Sequence, residues 1–184
     1  NIKMKQDNSP NNSGSLDNQK FTWVPFFKEL AQKLISYEHN HLALIQILKR
    51  SGITEGMEDK DYNGNKIELD DIDPFTFTSF INKYKDIEKR KEYLKKIKQE
   101  LNIQSNLPDD FDGVPVTFAA RVWMFNYKKN RKDSDIPNLW ELYKQVVSFT
   151  LDKKLFQEVI NIHGVGKARL TQGMFLADPD NFFP

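Results

Sequence analysis

Ile162-His163-Gly164-Val165-Gly166-Lys167-Ala168 is the stretch that decides the architecture. Ahead of it Leu155, Phe156, Val159 and Ile160 recur at helical spacing, and behind it Ala168, Leu170, Thr171, Met174 and Phe175 do the same. Two helical patterns joined by a short glycine-bearing turn predict a helix-hairpin-helix-like element at the end of the chain. Two glycines let the backbone turn tightly and let a ligand approach it closely. Gly166 falls where the unbonded N–H groups of the second helix point outward, and those groups together with the helix dipole favour an anion. Lys167 and Arg169 would add charge-assisted contacts, and Val165 should turn inward and pin the turn. Such an element grips a sugar-phosphate backbone without reading bases. A glycine-linked helix pair of purely structural role is the competing reading. A Walker A loop fits worse, because one residue separates Gly164 from Gly166 and Ala168 follows Lys167.

Working back towards the N-terminus, further helical patterns appear. Phe26, Phe27, Leu30, Ala31, Leu34 and Ile35 form one between Val24 and Tyr37, with Pro25 suited to its first turn. A second covers His41 to Arg50 and stops at Gly52. Asn63-Gly64 favours a tight turn, with a small β-hairpin around residues 60–68. Asp73-Pro74 reads as a cap and first-turn proline of a short helix carrying Phe77, Phe80, Ile81 and Tyr84. Tyr93, Leu94, Ile97 and Leu101 mark one side of another helix. Its other side is basic, with eight basic and three acidic residues between Lys83 and Lys98. The run from Val116 to Tyr127 is apolar and aromatic and fits both periods in part. Pro137 opens a helix with Leu139, Trp140, Leu142, Tyr143, Val146 and Val147, and another spans about 153–160. The expected fold class is therefore mainly α, a compact multi-helix domain over residues 21–184. Residues 1–20, rich in Asn, Ser, Asp, Gln and Lys, read as a flexible polar tail or linker.

The bulk composition narrows the function classes. With 14 phenylalanines among 184 residues the core should be aromatic-rich. Twenty-seven basic and 26 acidic residues nearly cancel, so a charged partner must be met by a local patch. Absence of cysteine excludes disulfides and thiolate metal sites. No apolar run approaches the roughly 20 residues of a membrane helix, and no signal-peptide pattern is visible. A cytoplasmic, membrane-free protein is the default expectation.

Several constellations were weighed as chemistry. Asp59, Asp61, Asn63, Gly64, Asn65 and Asp70 partly match a calcium loop, but Lys66 stands where an apolar residue belongs and Asp70 is shorter than the usual Glu. His39 and His41, at a helix boundary, read as solvated polar residues. Asp109, Asp110 and Asp112 lie in a proline-rich loop where Asp is turn chemistry. No catalytic residue, metal site or cofactor is expected. Two basic stretches remain candidates for DNA contact: Lys89 and Arg90 on the amphipathic helix, and Lys128, Lys129 and Arg131 in a compact loop. Trp23, Trp123 and Trp140 could stack on a base, although each lies in an apolar pattern that favours core packing.

Five segments in order carry a family resemblance. They are Phe21–Ala31, Asp71–Phe77, Leu107–Pro115, Ile136–Leu142 and Gly164–Phe175 with Pro179-Asp180-Asn181-Phe182. Together, over residues 21–184, they resemble the N-terminal region found ahead of the AAA+ GTPase/ATPase module in some McrB-like restriction proteins, with Val24 and Phe27 as small departures. The resemblance implies a target-recognition or regulatory domain of a defence system, facing duplex DNA. It also implies an AAA+ module on other segments and cleavage by a partner nuclease. The alternative is a module that docks onto a partner ATPase or nuclease and touches no nucleic acid.

Overall fold

The computed structural model describes residues 20–184; the polar segment read as a tail, residues 1–20, lies outside the described residues except for Lys20. Among the described residues seven α-helices and one two-stranded antiparallel hairpin make up the regular structure. The helices are α1 (Trp23–Ile35), α2 (His41–Arg50), α3 (Pro74–Asn82), α4 (Ile87–Leu101), α5 (Asp135–Ser148), α6 (Lys153–Ile160) and α7 (Gly166–Ala177). The strands are β1 (Glu58–Lys60) and β2 (Lys66–Glu68), paired with Asp59 opposite Ile67. A mainly helical fold with a small hairpin is thus what the chain adopts. No helix among the described residues is long and apolar enough to cross a membrane.

Local chemistry sets the helix starts. Asp73 caps α3, accepting from the Thr76 backbone N–H at 3.0 Å and from the Thr76 hydroxyl at 2.6 Å, with Pro74 in the first turn. Burial pushes the Asp73 carboxyl up to about 6 against those hydrogen bonds. The Thr76 hydroxyl in turn accepts from the Met124 N–H at 2.9 Å, tying α3 to the aromatic run. Asp86 and Asp152 cap α4 and α6 in the same way. Asn102 and Phe149 end α4 and α5 in the left-handed region.

The four helices α1, α3, α5 and α7 pack against one another around the phenylalanine-rich core, with α2 and α4 against α3, and α6 against α5 and α7. Phe26, Phe27, Phe75, Phe77 and Phe80 are fully buried. Helix α7 comes close to α3 at Gly173, where an added Cβ would lie 2.8 Å from the Phe75 ring. This close packing fixes the direction of α7 and so of the turn that begins it. The run from Val116 to Tyr127, which fitted both periods, forms neither strand nor α-helix. It holds only a short 3-10 turn, Ala119–Arg121, and then an irregular passage anchored by buried Val122, Met124 and Phe125.

Candidate nucleic-acid interface

The turn between α6 and α7 is built from the inside. Val159, Ile162 and Val165 are buried, and the N–H groups of Ile162 and Val165 bond back to Val159 and Ile162, each at 3.1 Å. Val165 is the inward pin that the sequence suggested. Gly164 and Gly166 have φ of +88° and +64°, a region that favours glycine, and a Cβ on either would meet no atom within 4 Å. Gly164, Gly166, Lys167 and Ala168 are exposed. Among the described residues no acceptor lies on the N–H groups of Gly166, Lys167 or Ala168. The start of α7 therefore presents three outward amides, the positive end of a helix dipole and the Lys167 ammonium.

The other expected cations divide into two kinds. Arg169 is turned back to the fold: its guanidinium donates to the carbonyls of Gly164 and Trp123, the latter at 2.9 Å. It holds the turn to the aromatic run, where an outward phosphate contact was expected. Arg90, expected on an exposed basic face, is buried; its guanidinium donates twice to the Tyr84 carbonyl and lies 4.6 Å from the Phe111 ring centroid. Arg131, expected in an open basic loop, pairs with Asp59 at 2.8 Å and leaves its side chain only 10% exposed. Lys128 donates its backbone N–H to Asp59 at 2.8 Å and pairs its ammonium with Asp70 at 2.9 Å. Lys129 gives its N–H to the Lys60 carbonyl, and its side chain stays exposed, as does that of Lys89. Of the nominated cations, Lys167, Lys129 and Lys89 thus face outward and the three arginines act within the fold.

Of the carboxylates considered for metal or acid–base chemistry, Asp59, Asp61, Asp70 and Asp110 are occupied within the fold. Asp59 and Asp70 take the cations of the basic loop, and Asp61 accepts from the backbone N–H groups of Asn63 and Asn65. Asp110 accepts from the Phe21 and Thr22 N–H groups and the Thr22 hydroxyl, anchoring the start of α1. Among the described residues no group of three or more His, Asp or Glu side chains is arranged to hold a metal ion.

His41 differs from its expected solvated state. Its ring stacks on Trp140 at 4.6 Å with 10° between the planes. Nδ1 lies 2.6 Å from an Asp71 carboxylate oxygen and Nε2 lies 2.7 Å from the Glu38 carbonyl. Both partners only accept, so the ring satisfies both by donating from both nitrogens, as the imidazolium. The Asp71 hydrogen bond raises its pKa above the ordinary 6.5, with partial burial opposing. A group whose folded pKa is raised stabilises the fold fully below its unfolded pKa and loses that contribution as pH rises through the folded value. Thermal unfolding should therefore show stability falling as pH rises above about 6.5, with the slope reduced in His41→Gln. An identical pH profile in that variant would contradict this.

A feature that residue types alone did not reveal lies beside the α7 turn. Trp123, Phe125 and Tyr127 line a cleft of about 560 Å³ together with His163, Gly164 and Arg169. Trp123 lies 5.2 Å from Phe125 and 5.7 Å from Tyr127, and its Nε1–H donates to the Gly56 carbonyl at 2.9 Å. The signal was present as aromatics at every second residue from 123 to 127. Trp23 and Trp140, by contrast, are core residues at 1% and 2% exposure.

In comparisons with known proteins, a family model described as "Domain of unknown function (DUF8425)" matches residues 23–184. No curated protein and no solved structure matches the chain.

Proposed function

The chain belongs to this DUF8425 family, and from that premise we propose that it is a DNA-contacting recognition domain of a restriction-type defence NTPase, working in the cytoplasm and without catalytic machinery of its own. The observation that carries the reading is the start of α7: three exposed amides with no acceptor among the described residues, beside Lys167, on a turn whose glycines leave the backbone open. Such an arrangement holds a phosphate oxygen through N–H donors and the helix dipole. The resemblance of the sequence to the N-terminal region of McrB-like restriction proteins supplies the biological setting, with the AAA+ module and a partner nuclease elsewhere.

The grip is sequence-independent, since backbone contacts position a strand and carry no base readout. Lys167→Ala is expected to weaken binding to DNA of any sequence. On duplex DNA it should reduce the magnitude of the slope of log affinity against log salt by about 0.9, one phosphate contact. The measurement is a fluorescence-anisotropy titration over a range of salt concentrations; equal affinity and equal slope in the variant would remove the turn from the interface.

A second reading, docking onto a partner protein, is favoured by a separate surface. Phe118 is 73% exposed and Val116 46%, at the rim of an apolar cleft of about 370 Å³ that also includes Phe75, Gly173 and Leu176. Failure of every DNA form to bind at low salt would leave this reading in place.

A further inference from the structure

We infer that the polynucleotide held at the α7 turn is single-stranded where it crosses the protein, running from that turn over the Trp123 cleft to a lysine–tyrosine cluster at the start of α4. The inference rests on the proposed phosphate grip and adds the strand form and its path.

Local contacts bring the parts of this path next to one another. The turn residues His163 and Gly164 line the same cleft as Trp123, Phe125 and Tyr127. The indole N–H of Trp123 is bonded to the Gly56 carbonyl. One residue earlier, the Glu55 carbonyl accepts from the Lys83 ammonium at 3.0 Å. Lys83 and Lys89 then lie 5.1 and 4.9 Å from the centroid of the same Tyr84 ring, and Tyr84 packs on Tyr93 at 4.6 Å. Through these contacts the turn that carries Lys167 neighbours the aromatic cleft, and the cleft neighbours the cluster of Lys83, Tyr84 and Lys89.

The part-exposed Trp123 ring, with lysines nearby, suits a strand whose bases are unstacked, because every base has a π-face and the phosphates follow the lysines. A duplex keeps its bases stacked inside and offers that ring nothing. A cationic ligand fits poorly, since Lys60 and Arg131 already lie over Tyr127 and Phe125 at 4.8 and 5.2 Å. Glu58, the acid in the cleft wall, is paired with Lys66 at 3.1 Å. Burial lowers the Lys83 pKa and the neighbouring Lys89 ammonium adds to that lowering, with Glu55 opposing. An intervening phosphate would relieve the repulsion between the two lysines.

The test uses the full chain and four probes: labelled oligothymidine of about 10 nucleotides, oligouridine of that length, a duplex of that length, and inorganic polyphosphate. The single strands, of either sugar, are expected to bind about tenfold tighter than duplex or polyphosphate. Because Trp23 and Trp140 are buried, quenching of tryptophan emission by a single strand should come from Trp123 and be absent in Trp123→Phe, which keeps a ring and most of the affinity. Trp123→Ala should lose about fivefold to a hundredfold. Lys83→Gln and Lys89→Gln should each reduce the single-strand salt slope by about 0.7. If duplex and single strand bind equally, or polyphosphate competes as well as either, or emission is unchanged on binding, the single-strand path is overturned. With any of those results, continued sensitivity to Lys167→Ala would keep the phosphate grip. Absence of binding to all four probes would overturn both.

Discussion

Replacing Arg131 by Met is expected to lower the unfolding free energy by about 3–5 kcal/mol while leaving the polynucleotide affinity of the folded protein unchanged. Asp59 is wholly buried on β1, and its carboxylate is satisfied by the Lys60 and Lys128 N–H groups and by the Arg131 guanidinium at 2.8 Å. Removing the arginine leaves a desolvated carboxylate without its counter-charge, the situation in which breaking a buried pair costs most. The Lys128–Arg131 loop would also lose a tie to the hairpin, since Arg131 donates to the Asn126 carbonyl as well. Urea denaturation measures the first part and a binding titration well below the midpoint measures the second. A stable variant with weakened DNA binding would mean that Arg131 reaches the strand after all.

Trp140→Ala should be of similar size, about 3–5 kcal/mol for a large aromatic removed from a core. The indole is 2% exposed on α5, and its Nε1–H donates to the buried Ile72 carbonyl at 2.9 Å. The substitution opens a cavity and leaves that carbonyl without its donor. It also removes the ring on which His41 stacks, so the pH dependence attributed to His41 should weaken in the same variant. Calorimetric unfolding at two pH values on either side of the ordinary histidine pKa separates the two effects. A melting temperature close to that of the parent would contradict the placement of Trp140 in the core.

These two substitutions mark where sequence reading succeeded and where it stopped. Helix positions were legible because their signals are local. Asp73-Pro74 starts α3, the His41–Arg50 pattern is α2 to the residue, and the expected 153–160 helix coincides with α6. The glycine turn was legible too, since φ values of +88° and +64° are the reason glycine stands at 164 and 166. Arginine roles were not legible, because burial of a cation depends on partners distant in sequence. Asp59 is 72 residues from Arg131, and the Trp123 carbonyl is 46 residues from Arg169. Residues 116–127 were opaque for a related reason. Their irregular course is fixed by tertiary anchors such as the Thr76 hydroxyl on the Met124 N–H, with no periodicity of their own to declare it. The proposed path from Lys89 to the α7 turn likewise depends on Gly56 and Glu55, which the fold brings to Trp123 and Lys83.

The most direct measurement is a titration of the ¹⁵N-labelled full chain with a short oligonucleotide, following backbone amide resonances. The amide protons of Gly166, Lys167 and Ala168 should move downfield together as each gains a phosphate acceptor, saturating with the affinity seen by anisotropy. If those three resonances stay in place while the oligonucleotide binds, the start of α7 is not where the strand is held.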